Sequence, residues 1–473
     1  LGSIIDSYPR NGKATQGHIV DFTYNNRGAR ESLTVRSLPD NAVKTGRAYG
    51  YDNIGRLSSV ENTLPGSITL SRHVVDAFDA VSRRKQISEY ARGGVFIDRH
   101  VYDYDDMGQL TSADHSETRP GAPIPDESFH YDDTGNRVSP ANPGYYSYDP
   151  ANRLLKQGIC SFTYDAAGNT ISKACVAHLA TDKKWEYTWD AWNRLSVVKY
   201  YEGVNATQHK FTIAFGYDAF GRKVWRKKTT VGAQNPETQI YFHDGSDAMY
   251  TVKNNVVVER FLMGAGIDEP LAVYRPDAAY YYHTDTLGSV TAITDETGEI
   301  SNSYIYSSFG NMIEKTTVAI PYRYTFTSQE WDSDLNMYYY DARWYDPNTG
   351  RFISEDIYVG INKYSYVENS PINYVDPFGM TPISPEEGND IVKEGKSQKW
   401  KGRKHTDIDP NGIDCSHYVH EVYRDSGHPY EYKQTSDFSS SKSFIKVDKP
   451  RPGDVVLWKG HMGIVVDPEE GAF

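Results

Sequence analysis

Tyr51-Asp52-Asn53-Ile54-Gly55-Arg56-Leu57 is the phrase on which the fold turns, because it returns along the chain. It comes back as Tyr104-Asp105-Asp106-Met107-Gly108-Gln109-Leu110, Tyr131-Asp132-Asp133-Thr134-Gly135-Asn136-Arg137 and Tyr148-Asp149-Pro150-Ala151-Asn152-Arg153-Leu154. Tyr164-Asp165-Ala166-Ala167-Gly168-Asn169, Trp189-Asp190-Ala191-Trp192-Asn193-Arg194-Leu195 and Tyr217-Asp218-Ala219-Phe220-Gly221-Arg222-Lys223 continue a series that starts near Tyr24. A recurring interval of this kind marks a repeat architecture. Each phrase reads as a hairpin. The aromatic closes one strand and packs inward, and Asp accepts bonds from turn amides. Gly or Asn takes the left-handed position, and Arg or Leu opens the returning strand. Hairpins laid side by side share an inner face that no single one buries alone, so packing explains the aromatic stripe better than sugar binding does.

Composition agrees. The 473 residues suffice for two or three domains, and 38 tyrosines with little helical periodicity favour β structure. A formal net charge of -13 argues against a protein that coats nucleic acid. No apolar run is long enough to span a bilayer, and no basic start with an apolar core marks a signal peptide. Leu1-Gly2-Ser3 reads as the remnant of a cleaved tag. Cys160, Cys175 and Cys415 are too few for a disulfide scaffold; the first two flank one turn and either pair across it or stay as buried thiols. In the looser stretch Tyr280-Tyr281-Tyr282-His283-Thr284-Asp285-Thr286-Leu287-Gly288, His283 reads as a packed or surface residue, since no partner at metal-ligand spacing accompanies it. Neither a metal nor a cofactor is expected.

The repeats lead to Tyr338-Tyr339-Tyr340-Asp341-Ala342-Arg343-Trp344-Tyr345-Asp346-Pro347-Asn348-Thr349-Gly350-Arg351-Phe352-Ile353-Ser354-Glu355-Asp356 and then to Pro371-Ile372-Asn373-Tyr374-Val375-Asp376-Pro377-Phe378-Gly379-Met380. The first reads as strand, turn and strand. Two neighbouring carboxylates, Asp356 and Asp376, suit acid-base chemistry on a peptide bond, because adjacent like charges push their pKa values apart. Arg351 is the expected cation that holds one of them ionised. The plainer reading has Asp376 capping the turn before Pro377. Gly350 to Asp356 and Pro371 to Met380 resemble the core-associated segment of Rhs and tyrosine-aspartate (YD) repeat proteins. That resemblance implies a β-shell whose plug cuts the chain by an aspartyl-protease-like site between Met380 and Thr381, freeing a C-terminal toxin. Met380 stands where the family usually has Leu.

After Met380 the composition changes to a linker and a basic run, Lys393 to His405, read as solvated. In Asp414-Cys415-Ser416-His417-Tyr418-Val419-His420-Glu421-Val422-Tyr423 the apolar residues follow helical spacing, which puts Cys415 at a helix N-terminus, where the dipole favours a thiolate. Pro452 to Trp458 and His461 to Val466 read as an antiparallel pair turned at Lys459-Gly460, with His461 opening the second strand. Cys as nucleophile and His as base is the pairing a cysteine hydrolase needs. The motifs resemble NlpC-type papain-like peptidases, which implies cutting of cell-wall peptides by Cys415 and His461. His417 stands where that family usually has Gly, and no orienting third residue is evident between Asp467 and Phe473.

The expectation is therefore a mainly β chain. Residues 4-270 form a YD-repeat β-hairpin shell, a partial cocoon, and 271-380 the self-cleaving segment. Residues 381-410 form a linker, and 411-473 a small α+β papain-like cysteine hydrolase. As an Rhs-type effector it is delivered into a target cell by a specialised secretion system. The implied partners are an immunity protein, a secretion-system adaptor or spike, and a peptidoglycan peptide, with no nucleic acid and no membrane span. The alternatives are a cysteine protease or deamidase acting on a target-cell protein, and an adhesive repeat protein with an inactive tail.

Overall fold

A computed structural model describes residues 2-10, 13-38, 40-116, 124-176, 182-266, 268-276, 278-315, 322-357, 360-380, 455-458 and 461-464. Thr381, the expected linker and Cys415 lie outside the described residues. The chain divides into two compact units, one of Leu1–Gly216 with Val224–Pro385, the other of Tyr217–Lys223 with Glu386–Phe473. In the second, the strands Val455–Trp458 and His461–Ile464 pair antiparallel with Trp458 opposite His461.

The first unit is a mainly β YD-repeat shell. A ten-stranded sheet runs from Gly2–Arg10 to Glu127–Ser128 and a sixteen-stranded sheet from Tyr146–Tyr148 to Met312–Lys315. Within each, every strand pairs with its neighbours in the sequence. That order follows from the turns, since a short hairpin loop returns the chain antiparallel and permits no crossover.

The repeated phrase builds one turn again and again. Asp52 Oδ1 accepts from the amides of Ile54, Gly55 and Arg56 at 2.9 to 3.0 Å, while Arg56 Nε donates to Asp52 Oδ2 at 2.6 Å. Asp79 with Arg83, Asp149 with Arg153 and Asp190 with Arg194 repeat the pair, and Gln109 or Asn136 replaces the arginine at Asp105 and Asp132. Although partial burial pushes the Asp52 carboxyl up, the backbone and Arg56 hydrogen bonds hold it below the usual carboxylate value. The glycine of the turn sits at φ 99° in Gly55 and 87° in Gly108, conformations that exclude most side chains. Phe78-Asp79-Ala80-Val81-Ser82-Arg83 forms the same turn with Phe for Tyr and Ser for Gly, a substitution that hides it in the sequence.

The repeats prefer Tyr because its hydroxyl has a fixed task. Tyr51 donates to Arg30 O at 2.8 Å, Tyr104 to Arg84 O at 2.6 Å, Tyr131 to Leu110 O at 2.8 Å and Tyr164 to Leu154 O at 3.0 Å. Each acceptor opens the strand that follows the preceding turn, so the ring fills the inner face and its tip satisfies a carbonyl that burial would otherwise leave costly. Successive turns are also joined sideways: Arg27 Nη2 donates to Asn53 O at 2.9 Å and Arg83 Nη1 to Asp105 O at 3.0 Å.

Of the open alternatives for the two shell cysteines, pairing is the outcome. Cys160 and Cys175 face each other across the hairpin and are joined by a disulfide. His283 is fully buried, with Nε2 at 2.9 Å from Thr294 Oγ1, and burial next to Arg47 lowers its pKa to about 3.

The segment after residue 322 packs into this shell as a plug. Tyr338, Tyr340, Tyr345, Phe352 and Tyr366 join Val75, Ile87 and Leu110 of the ten-stranded sheet in one core cluster. Each such buried aromatic stabilises by roughly 1.5 to 3 kcal/mol relative to exposure. Polar bonds fasten the plug to both sheets. Arg84 Nη1 donates to Ile372 O at 2.9 Å and Asn369 Nδ2 to Gln109 Oε1 at 2.9 Å. On the other sheet, Thr170 N donates to Ile353 O at 2.8 Å and Lys173 Nζ meets Asp346 Oδ2 at 2.5 Å.

Candidate functional site

The candidate site lies where the plug ends. The short strand Arg343–Asp346 pairs with Met337–Tyr340 across a tight turn at Asp341 and Ala342, and Ala342 N donates to Phe378 O at 3.1 Å. That bond ties the end of the plug to the turn that precedes the strand carrying Arg343. Gly379, at φ 67°, has no alternative residue, because an added Cβ would run into the Tyr340 carbonyl oxygen.

Arg343 is the hub. Its Nη2 lies 2.7 Å from Asp356 Oδ2 and 3.3 Å from Asp376 Oδ2. Its Nε donates to Gly379 O, and its Nη1 donates to Lys363 O at 3.1 Å. The guanidinium also stacks 3.6 Å from the Phe352 ring centroid. Lys363 O accepts from Asp356 N at 2.9 Å as well, which holds the loop bearing Asp356 against the arginine. Burial pulls the Arg343 pKa down from its ordinary value while Asp356 and Asp376 push it back up; arginine remains protonated regardless.

The two carboxylates differ. Asp376 is almost fully buried, and its Oδ1 accepts from Met380 N at 2.8 Å. Asp356 is more open, with its side chain 15% exposed. Asp376 thus closes the Pro377-Phe378-Gly379 turn, where the plainer reading has it capping a turn before Pro377, and touches the residue at which the chain was expected to part.

The structure brings the two expected carboxylates together, on Arg343 rather than on Arg351. Arg351, buried in the next strand, donates to Asn136 Oδ1 at 3.0 Å, Asn152 O at 2.5 Å and Asn362 Oδ1 at 3.2 Å. It is an anchor between plug and repeat turns, and Arg343 takes the place foreseen for it. Strand alternation separates the two: Asp346 faces Arg351 in the register while Arg343 pairs with Tyr340 at the other end of its strand. The neighbouring Ala342 and Gly379 contacts were the signal, and they depend on long-range pairing that spacing does not reveal. Of the hydrolase pair, Cys415 is outside the described residues, and His461 is placed in the strand His461–Ile464 by its backbone alone.

Three comparisons bear on these features. The Teneurin YD-shell family model matches residues 8–374, and the NlpC/P60 family model matches residues 395–471. Among relatives, the "tRNA(Glu)-specific nuclease WapA" of Bacillus subtilis subsp. natto is 29% identical over 275 residues, 54% of this chain and 11% of that protein. The "Double-stranded DNA deaminase toxin A" of Burkholderia cenocepacia is 27% identical over 279 residues, 52% of this chain and 18% of that protein. The chain therefore spans less than a fifth of the length of these curated relatives. Among solved structures, TcdB2-TccC3-Cdc42 matches with a TM-score of 0.54 at 16% identity, covering 79% of this chain and 20% of that one, a likeness of fold.

Proposed function

Because the chain belongs to the Teneurin YD-shell family, we propose that it is the shell and plug of a delivered toxin that cuts itself between Met380 and Thr381. The observation that carries this reading is the convergence of Asp356 and Asp376 on one Arg343 nitrogen beside the Gly379 carbonyl. Asp376 holds Met380 in place through its amide. Asp356, the more exposed carboxylate, takes a proton from water as the water oxygen attacks the Met380 carbonyl carbon. It returns that proton to the Thr381 nitrogen as the C–N bond breaks. Arg343 sets one positive charge against both carboxylates and shields them from each other.

The released segment, with its NlpC/P60 match, acts as a cysteine hydrolase. Cys415 is the nucleophile and His461 the base, and the substrate is a cell-wall peptide. Relatives named as nucleases and as a DNA deaminase toxin support delivery of a toxic end by the same kind of shell, and the different last segment supports a different cargo chemistry. An immunity protein and a secretion adaptor are the partners this reading requires.

Mass spectrometry of the purified chain tests it. The expected masses correspond to residues 1–380 and a fragment starting at Thr381, and Asp376→Asn leaves one intact species. A parent chain that stays whole, or a cut that persists in Asp376→Asn, ends the self-cleavage reading. Incubating the freed segment with peptidoglycan fragments and with target-cell protein, alongside Cys415→Ala, assigns the substrate class.

A further inference from the structure

Gln329 lies just behind the scissile turn and does not belong to the carboxylate-arginine group. It is 5% exposed and follows the single turn Phe326–Ser328. That turn is held rigid: Thr327 N donates to Ser289 Oγ at 3.1 Å, Ser328 Oγ to Gly288 O at 2.7 Å, and Gln329 N to Phe326 O at 2.9 Å. Thr327 and Ser328 sit at φ 45° and 57°, a conformation such residues keep only where their surroundings fix it.

From this platform Gln329 Nε2 donates in two directions, to Asp268 Oδ2 at 2.6 Å and to Pro377 O at 3.3 Å. A carbonyl oxygen never donates, so the amide must present its NH2 to Pro377, and its orientation is fixed by chemistry. Asp268 stands on the bend between Val256–Met263 and Pro270–Tyr274. The charged groups facing it are Asp341 from the strand turn, Asp247 from Asp247–Lys253, and Asp376 from the plug's end. Burial and these three acids raise the Asp268 pKa well above the ordinary value against the pull of the Gln329 bond. Asp268 accepts from Gln329 there, and its burial among three acids favours its protonated form.

We infer that Gln329, oriented by Asp268, is a positioning residue for self-cleavage: it pins the Pro377 carbonyl and so fixes the turn through which Asp376 presents Met380. The inference rests on the self-cleavage reading above. Losing a pin next to reacting groups misplaces them, and displacements of about 1 Å cost up to about a hundredfold in rate.

The test is a time course of self-cleavage during cell-free synthesis of the full chain, for the parent, Gln329→Leu, Gln329→Glu and Asp268→Asn. Gln329→Leu keeps the volume and removes both donors; it slows the cut by about tenfold or more, while near-UV circular dichroism and resistance to limited proteolysis match the parent. Gln329→Glu is slow near neutral pH, where an anion faces the Pro377 carbonyl oxygen. Its rate relative to the parent recovers on acidification, when a protonated carboxyl regains a donor. Asp268→Asn, a neutral acceptor of the same shape, cuts within about threefold of the parent. A purely structural role does not produce the pH-dependent recovery in Gln329→Glu. The inference is overturned by a Gln329→Leu chain that cuts as fast as the parent, by a Gln329→Glu ratio flat with pH, or by an Asp268→Asn chain that does not cut. A parent that never cuts sinks the self-cleavage reading and this inference with it, whereas a cutting parent with an equally fast Gln329→Leu sinks this inference alone.

Discussion

The repeat turns and the plug both pair aspartate with arginine, but they do so under opposite conditions. In a turn the partners are four residues apart and sit at the surface, as in Asp52 with Arg56, whose side chains are 22% and 28% exposed. At the end of the plug Arg343 is 6% exposed and reaches Asp356 and Asp376, far along the chain. The turn pair is local and repeated, so no single copy decides the fold. The plug pair needs three separate stretches of the plug to meet, so on the proposed self-cleavage reading it ties the cut to the folding of the plug. On that reading one ion-pair chemistry serves as scaffold in one place and as trigger in the other.

Removing the cation is the strongest way to break that comparison. Arg343→Met leaves the buried Asp376 and the half-buried Asp356 without their guanidinium and is expected to cost about 3 to 5 kcal/mol and to abolish the cut. Arg56→Met is expected to cost no more than about 1 kcal/mol and to leave the cut intact. Urea midpoints with gel analysis of both variants check this, and equal costs would erase the distinction between trigger and scaffold.

Acid titration sharpens it next. Hydrogen bonds outweigh burial and depress the carboxyls of Asp52, Asp79, Asp132, Asp149 and Asp295. Such groups contribute stability that is complete above their unfolded value of about 3.9 and is lost as pH falls through the lower folded values. Asp247 has the opposite sign: burial, then Asp244 and Glu269, raise it to about 6. The folded state therefore binds its proton first, and stability rises as pH drops through that value. Burial lowers His18, His115 and His283 to about 4, 4 and 3, and these oppose Asp247 over the same interval. The Asp247 contribution is therefore read as the thermal midpoint of the parent minus that of Asp247→Asn, a difference that should rise as pH falls from about 7 to 5. A difference that stays flat across that interval would contradict the Asp247 assignment.

The smallest effect belongs to the repeat hydroxyls. Tyr104→Phe keeps the ring and removes the bond to Arg84 O, for an expected loss of about 0.5 to 1.5 kcal/mol in urea unfolding with no change in the cut. A neutral result there would mean that the carbonyl finds another donor.

These contrasts also mark what the sequence disclosed. The turns were legible because their chemistry closes within five residues: Asp, left-handed Gly and Arg imply one another by spacing. Phe78 to Arg83 was missed because both of its signal residues are replaced while its Asp79 bonds persist. At the plug, Asp356 and Asp376 stood out by motif, but the choice between Arg343 and Arg351 turned on sheet register and on the Ala342 contact with Phe378. Gln329 and Asp268 carried no sequence signal, because their significance arises only when three distant segments meet.

The sideways bonds between turns have one more consequence. Arg27 and Arg83 each grip a main-chain oxygen on the following hairpin, an atom that every residue type supplies. A joint of this kind is indifferent to the side chain of the residue it grips, whereas Arg56 with Ser82, Asn136 with Asn152 and Asn169 with Asn193 join side chain to side chain. The rim therefore mixes seams that tolerate a changed neighbour with seams that demand a matching one.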